Sequence, residues 1–215
     1  MYKIVAIDGP AGSGKGTVAK ILADRCNLLY IDTGAMYRAI AYGMIKNNIK
    51  LEDEDKIIEL AKNAKIEFLN GKTYLNSEDV SNQIRTMEVT KIVSPVSSIV
   101  KLREILVDLQ RKMAEGSNVI MEGRDITTVV FPNATYKFYL DANVDVRAKR
   151  RYKENLEKGM NVSFEEILEN IKKRDYNDMH KEVGALTRSD DSIYIDSSNM
   201  TIEEVVEKIK SIIEV

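Results

Sequence analysis

The stretch most able to do chemistry is Asp8-Gly9-Pro10-Ala11-Gly12-Ser13-Gly14-Lys15-Gly16-Thr17. From Gly9 to Gly14-Lys15 its spacing is that of a G-x-x-x-x-G-K phosphate loop. Small residues let successive backbone N–H groups turn inward and surround phosphate oxygens. The start of the following helix adds partial positive charge. Lys15 can then bridge the terminal phosphates of a nucleoside triphosphate. The common form of the loop has Ser or Thr directly after the lysine, whereas here Gly16 precedes Thr17. No strand ending in a paired Asp-Glu and no Asn-Lys-x-Asp motif accompanies the loop, which disfavours a mechanical ATPase and a GTPase switch.

Other charged residues could hold a second phosphate. Asp32-Thr33-Gly34-Ala35-Met36-Tyr37-Arg38 follows an apolar run, with Thr33 expected to cap a helix and Arg38 about one turn inside it. Glu122-Gly123-Arg124-Asp125 follows another such run. An arginine at such a place is a fork for phosphate. Glu122 or Asp125 could accept hydrogen bonds or organise magnesium-bound water. A carboxylate there could also accept from the exocyclic amine of cytosine, where the oxygen of uracil would be repelled. Further on, Arg147, Lys149, Arg150, Arg151 and Lys153 form a basic stretch. Arg174, Asp178 and Lys181 then follow at i, i+4 and i+7, expected on one helix. Two arginine-rich helices joined by Lys158-Gly159-Met160-Asn161 would make a lid able to close over a polyphosphate and exclude water.

These residues need a scaffold, and the apolar pattern supplies one. Ile4–Ile7, Leu28–Ile31, Val119–Met121, Tyr136–Leu140 and Ile193–Ile195 are short apolar runs, each ending next to an acidic residue. Helical periods lie between them, at about 15–24, 35–47, 145–157, 163–180 and 201–213, with one after the acidic run 52–55 and a long one at 86–115 that should break at Pro95. Unbroken strands alternating with helices predict a parallel sheet covered on both faces, with ligands beyond the carboxyl ends of its strands. Ile66–Leu69, Asn70-Gly71 and Lys72–Leu75 predict a small antiparallel hairpin insert.

The 215 residues are 44% hydrophobic and 31% charged with a net charge of −2, which fits a globular domain and excludes a chain that is basic overall because it coats nucleic acid. The single cysteine, Cys26, excludes an internal disulfide and a multi-cysteine metal site. Cys26 is expected to be a small buried thiol and His180, the single histidine, a surface residue. No apolar run approaches a membrane span, and Met1-Tyr2-Lys3 leads straight into a strand-like run, so a cytoplasmic protein without a leader is the expectation.

Taken together, these segments closely resemble the bacterial cytidylate kinases, or CMP/dCMP kinases, over essentially the whole chain. The likeness rests on residues 9–17 and 32–38, on Glu78-Asp79-Val80-Ser81 with Ile84-Arg85, on Gly123-Arg124-Asp125 through Phe131-Pro132, and on Lys173-Arg174-Asp175. It implies an α/β P-loop three-layer fold with a five-stranded parallel sheet, a small antiparallel insert and a short helical lid. As one kinase domain, the core would span about 1–33, 84–148 and 182–215, the acceptor-binding region about 34–83 and the lid about 149–181. It further implies transfer of the γ-phosphoryl group of ATP to CMP or dCMP by a cytoplasmic monomer that engages neither nucleic acid nor membrane.

By matching position, the resemblance implies that Gly9, Pro10, Ala11, Gly12, Ser13, Gly14, Lys15, Gly16 and Thr17 bind ATP. Arg38 and Arg124 would hold the CMP phosphate, with Asp32, Thr33 and Lys181 also on the acceptor side. Ser94, Arg103 and Asp125 would read cytosine, and Arg174 and Asp178 would hold the sugar. Lys15, Arg124, Arg150, Arg151 and Arg174 would stabilise transition-state charge, and Mg2+ would sit on ATP oxygens, Thr17 and water. The family commonly has Ser at Thr33, Asp at Glu122 and Arg at Lys181. Lys181 keeps the charge but loses the bidentate fork. Three other readings compete: a UMP acceptor, a non-catalytic nucleotide sensor, and nucleic-acid binding through Arg147 to Lys153.

Overall fold

The protein, seen in a computed structural model, is described over residues 2–157, 159 and 161–213. Lys158 and Met160 of the joint between the two arginine-rich helices therefore lie outside the described residues. All five apolar runs are strands of one sheet: β1 (Ile4–Asp8), β2 (Leu29–Asp32), β6 (Val119–Gly123), β7 (Tyr136–Asp141) and β8 (Ile193–Asp196), in the order β2-β6-β1-β7-β8. The sheet is parallel. Each central strand is covered on both faces, which is why β1 and β6 read as unbroken apolar runs.

The chain divides into two compact units, residues 1–30 with 116–215 and residues 31–115. In the first, α1 (Lys15–Cys26) and α8 (Ile202–Lys210) pack Val18, Leu22, Val205, Val206 and Ile209 against Ile7, Ile120, Phe138 and Leu140 of the sheet. A capping box between Thr201 and Glu204 starts α8. Cys26 ends α1 beside the left-handed cap residue Asn27 and is half-buried rather than fully buried, packed at the margin of the core. The helices α6 (Val144–Glu157) and α7 (Phe164–Met179) join through Ala148, Ile167 and Ile171, with Tyr152 edge-on to Phe164. Helix α7 ends before Lys181, so Lys181 approaches its neighbours from the segment after the helix and not from the helix face.

In the second unit, α2 (Thr33–Lys46), α3 (Glu54–Asn63), α4 (Met87–Val96) and α5 (Val100–Met113) surround a core containing Met36, Ile40, Met44, Ile57, Leu102 and Leu106. Thr33 is the first helical residue and Asp32 the cap, because the Asp32 carboxylate accepts the Ala35 N–H at 2.8 Å. Helix α4 runs through Pro95 and the break falls at residues 97–99, where Ser97 caps its last turn. The hairpin forms β3 (Ile66–Leu69) and β4 (Lys72–Leu75), and both turn residues, Asn70 and Gly71, have positive φ. A two-residue strand, β5 (Glu78–Asp79), adds a third strand to the insert. Among the described residues no helix is long and apolar enough to cross a membrane.

Candidate active site

Strand register brings the candidate residues of the first unit together. Asp8 at the end of β1 pairs with Gly123 on one side and Tyr139 on the other. The loop after Asp8 and the Arg124-Asp125 segment after Gly123 therefore leave the sheet side by side, at the carboxyl edge where α/β sheets bind ligands.

Only glycine fits at position 9, since a Cβ there would lie 2.0 Å from the Leu140 carbonyl oxygen. Three loop carbonyls accept from side chains. Lys15 Nζ donates to Pro10 O at 3.0 Å, Arg147 donates to Ala11 O at 3.0 Å, and Arg150 and Ser197 Oγ donate to Ser13 O at 3.4 and 3.3 Å. In a trans peptide the N–H points opposite to the C=O, so the N–H groups of Gly12 and Gly14 point away from Arg147 and Arg150. No side chain caps the first turn of α1 at Gly14, whose amides are thereby available to an anion. Gly16 lies where Glu122 approaches: a Cβ would stand 3.1 Å from Glu122 Oε1. That contact gives a local reason for glycine between Lys15 and Thr17.

Lys15 is buried, 3.9 Å from the Glu122 carboxylate. Burial, reinforced by Arg124 and opposed by Glu122, lowers its pKa to about 7. Around it stands a cationic group organised by one carboxylate. Asp178 lies 2.8 Å from Arg124 Nε, 3.1 Å from Lys181 Nζ and 3.8 Å from Arg174 Nε. Burial would push Asp178 up, but Arg124, Lys181 and Arg174 outweigh it and hold the carboxyl at about 2. Arg174 is lowered to about 10 by burial and by Arg124. Four basic groups thus share a buried region with Glu122 and Asp178, an arrangement that a polyphosphate would complete.

The remaining candidates of this unit lie around this group. Arg150 donates to Ser197 O at 2.6 Å and so ties the loop to the segment after β8. Arg151 pairs with Glu154 at 3.1 Å and is half-buried. Thr17 is exposed in the first turn of α1. Asp125 is buried, and its carbonyl accepts from Val129 and Val130.

In the second unit Arg38 donates to Ile84 O and Thr90 Oγ1, and Asp32 pairs with Arg85 at 3.3 Å. Arg103 is buried, donates to Ser97 O at 2.9 Å and lies over the Tyr37 ring at 5.4 Å. It is therefore not an exposed helix residue. Ser94 is half-buried, its carbonyl accepting from Ser97 and Ser98. Thr33 is buried.

Sequence reasoning placed Arg147 in the basic stretch but gave it no role at the phosphate loop. It is buried, bonds Ala11 O and Ala142 O, and pairs with Asp175 of α7 at 2.7 Å. It thus joins the phosphate loop to the helix that carries Arg174 and Asp178. Its burial also breaks up the basic stretch as a continuous solvated stripe. The signal for that role was its position six residues after the acidic end of β7. His180 is exposed and stacks on Tyr176. Among the described residues, no three His, Cys, Asp or Glu side chains are grouped as metal ligands.

Residues 5–215 match the sequence profile of the family described as Cytidylate kinase. The chain is 51% identical over 205 residues to the cytidylate kinase of Caldanaerobacter subterraneus subsp. tengcongensis, covering 95% of this chain and 92% of that one. It is 47% identical over 211 residues to the cytidylate kinase of Fusobacterium nucleatum subsp. nucleatum, covering 98% and 97%. Two solved structures share its fold. One is an uncharacterized protein from Eubacterium ventriosum (TM-score 0.55, 15% identity, 98% and 97% covered), the other the shikimate kinase from Bacteroides thetaiotaomicron (TM-score 0.51, 12% identity, 99% of each covered). A phosphate loop with its buried lysine, a cationic group beside it and these full-length likenesses agree: the chain belongs to the cytidylate kinase family.

Proposed function

We propose that the protein transfers the γ-phosphoryl group of ATP to CMP or dCMP, giving ADP and CDP or dCDP. The observation that carries this reading is the gathering of Lys15, Arg124, Arg174 and Lys181 around Asp178 beside the uncapped start of α1. Such a site has charge stabilisation as its main resource, and phosphoryl transfer asks for that and for alignment.

A CMP phosphate oxygen forms a bond to the γ-phosphorus as the bond from that phosphorus to the β,γ-bridging oxygen breaks, in line and without a covalent enzyme intermediate. Lys15 and the amides of the phosphate loop hold the ATP phosphates, and Arg150 and Arg151 flank them. Arg124 and Arg174 offset charge on the transferred group. On the acceptor side, Arg38 takes the CMP phosphate, Arg103, Ser94 and Asp125 read cytosine, and Asp178 serves the sugar. Thr17 presents an exposed hydroxyl in the first turn of α1, a hard oxygen ligand of the kind that Mg2+ takes. Mg2+ would be held by Thr17, nucleotide oxygens and water, and when bound it neutralises charge between phosphates. No general base is required, because a phosphate monoester is already largely deprotonated at neutral pH.

The test is ADP formation from ATP and magnesium with CMP, dCMP, UMP, AMP and GMP offered separately. CMP and dCMP should turn over well above UMP. Preference for another acceptor would remove Ser94, Arg103 and Asp125 as base readers. Tight ATP binding without turnover would leave a sensor.

A further inference from the structure

Asp8 is the last residue of β1 and 0% exposed, a buried carboxylate with no part in the chemistry above. It does not reach into the phosphate loop that follows it. One oxygen accepts the Ile126 N–H at 2.9 Å, and the other accepts the Thr127 N–H and hydroxyl, both at 2.7 Å. These donors open the turn after Arg124-Asp125. That turn is wound more widely than an α-helix: Val130 N bonds Asp125 O at 3.1 Å and Phe131 N bonds Ile126 O at 2.7 Å. Wide single turns of this kind collect at functional sites. The Asp125 side chain does not cap it, so Asp8 supplies the acceptors that its first amides need.

We infer that Asp8 is a positioning residue for the acceptor nucleotide: its carboxylate holds the turn that orients Arg124 and Asp125 and so sets how CMP is bound and distinguished from UMP. The inference rests on the proposed roles of Arg124 and Asp125. Its physical basis is the count of donors. A carboxylate is acceptor-only and can satisfy both amides and the hydroxyl at once. Asparagine offers one acceptor oxygen and an NH2 group. In either orientation of its amide, one backbone N–H of the turn would face another donor and lose its partner. Strand pairing of Asp8 with Gly123 would remain, so the turn would shift while the sheet stayed in place.

The experiment is steady-state kinetics of Asp8→Asn, Thr127→Val, Thr127→Ser and Asp125→Asn with CMP and UMP, varying each nucleotide separately. Asp8→Asn should raise KM for CMP about tenfold and reduce CMP-over-UMP preference by a similar factor, with KM for ATP within about twofold. Thr127→Val, which removes only the hydroxyl, should move the CMP parameters about two- to threefold in the same direction, while Thr127→Ser behaves as the unaltered enzyme. Equal changes in KM for ATP and CMP, or a loss confined to kcat, would show a general structural role and overturn the inference. Should Asp8→Asn fail to fold, the two Thr127 variants decide, and identical CMP parameters for Val and Ser overturn it. Asp125→Asn separates the two levels. If it changes base preference and Asp8→Asn does not, the inference falls and the acceptor reading stands. If neither changes it, the acceptor reading falls as well.

Discussion

Arg124 and Arg174 in residues 1–30 with 116–215, and Arg38 and Arg103 in residues 31–115, are held by different means. In the first unit Arg124, Arg174 and Lys181 gather on the Asp178 carboxylate, and Arg147 pairs with Asp175. In the second, the Ile84 carbonyl and Thr90 hydroxyl orient Arg38, and the Ser97 carbonyl and Tyr37 ring orient Arg103. A carboxylate titrates, and a phosphate can compete with it for the same cations. A carbonyl or a ring face directs a guanidinium without titrating. The first arrangement makes a cluster whose charge responds to pH and to anions. The second presets the direction of a fork.

The largest effect that could break this contrast is on Lys15. Lys15→Ala should lower turnover by about three orders of magnitude while thermal unfolding stays close to that of the unaltered protein. A folded variant with near-normal turnover would remove the first unit from the transfer step. Next is Arg103→Met in the second unit. It keeps much of the side-chain bulk and removes the fork, and should raise KM for CMP roughly tenfold with KM for ATP unchanged. An equal change for both nucleotides would mean that Arg103 only packs.

Two titrations sharpen the comparison. Asp178 sits at about 2, below its ordinary value, so its contribution is present above pH ~4 and is lost as pH falls through about 2. The shift corresponds to about 2 kcal/mol, and Asp178→Asn should flatten that acid limb in denaturant unfolding followed against pH. Asp8 behaves oppositely. Burial raises it to about 6, so its contribution is present below pH ~4 and is lost as pH rises through about 6. Asp8→Asn should therefore remove a loss of stability between pH ~4 and ~6. The smallest effect is a proton count. With Lys15 at about 7, a nonhydrolysable ATP analogue should draw nearly one proton onto the protein at pH ~8, read from binding heats in buffers of different ionisation enthalpy. Lys15→Arg should abolish it.

Features coded by neighbours in the chain were legible without coordinates. Residues 9–17 form the phosphate loop because glycine spacing and a following helix suffice to shape it. The five apolar runs form the parallel sheet, and Asn70-Gly71 turns the hairpin. The strand Glu78–Asp79 was not legible, since two acidic residues carry no period and pair only because β4 offers an edge. The cap at Asp32 was misplaced by one residue, because Asp32 and Thr33 are both good caps and only the bond to Ala35 distinguishes them.

Local spacing thus determined the phosphate loop, the strands, most helices and the presence of arginines near strand ends. Tertiary structure alone decided which charges meet. Asp8 reaches a turn 118 residues away, Arg147 reaches Ala11 across 136, and Asp178 reaches Arg124 across 54. Propensity and periodicity act over one or two turns of chain. Burial and pairing of charge depend on distances that exist only once the sheet has set its strand order.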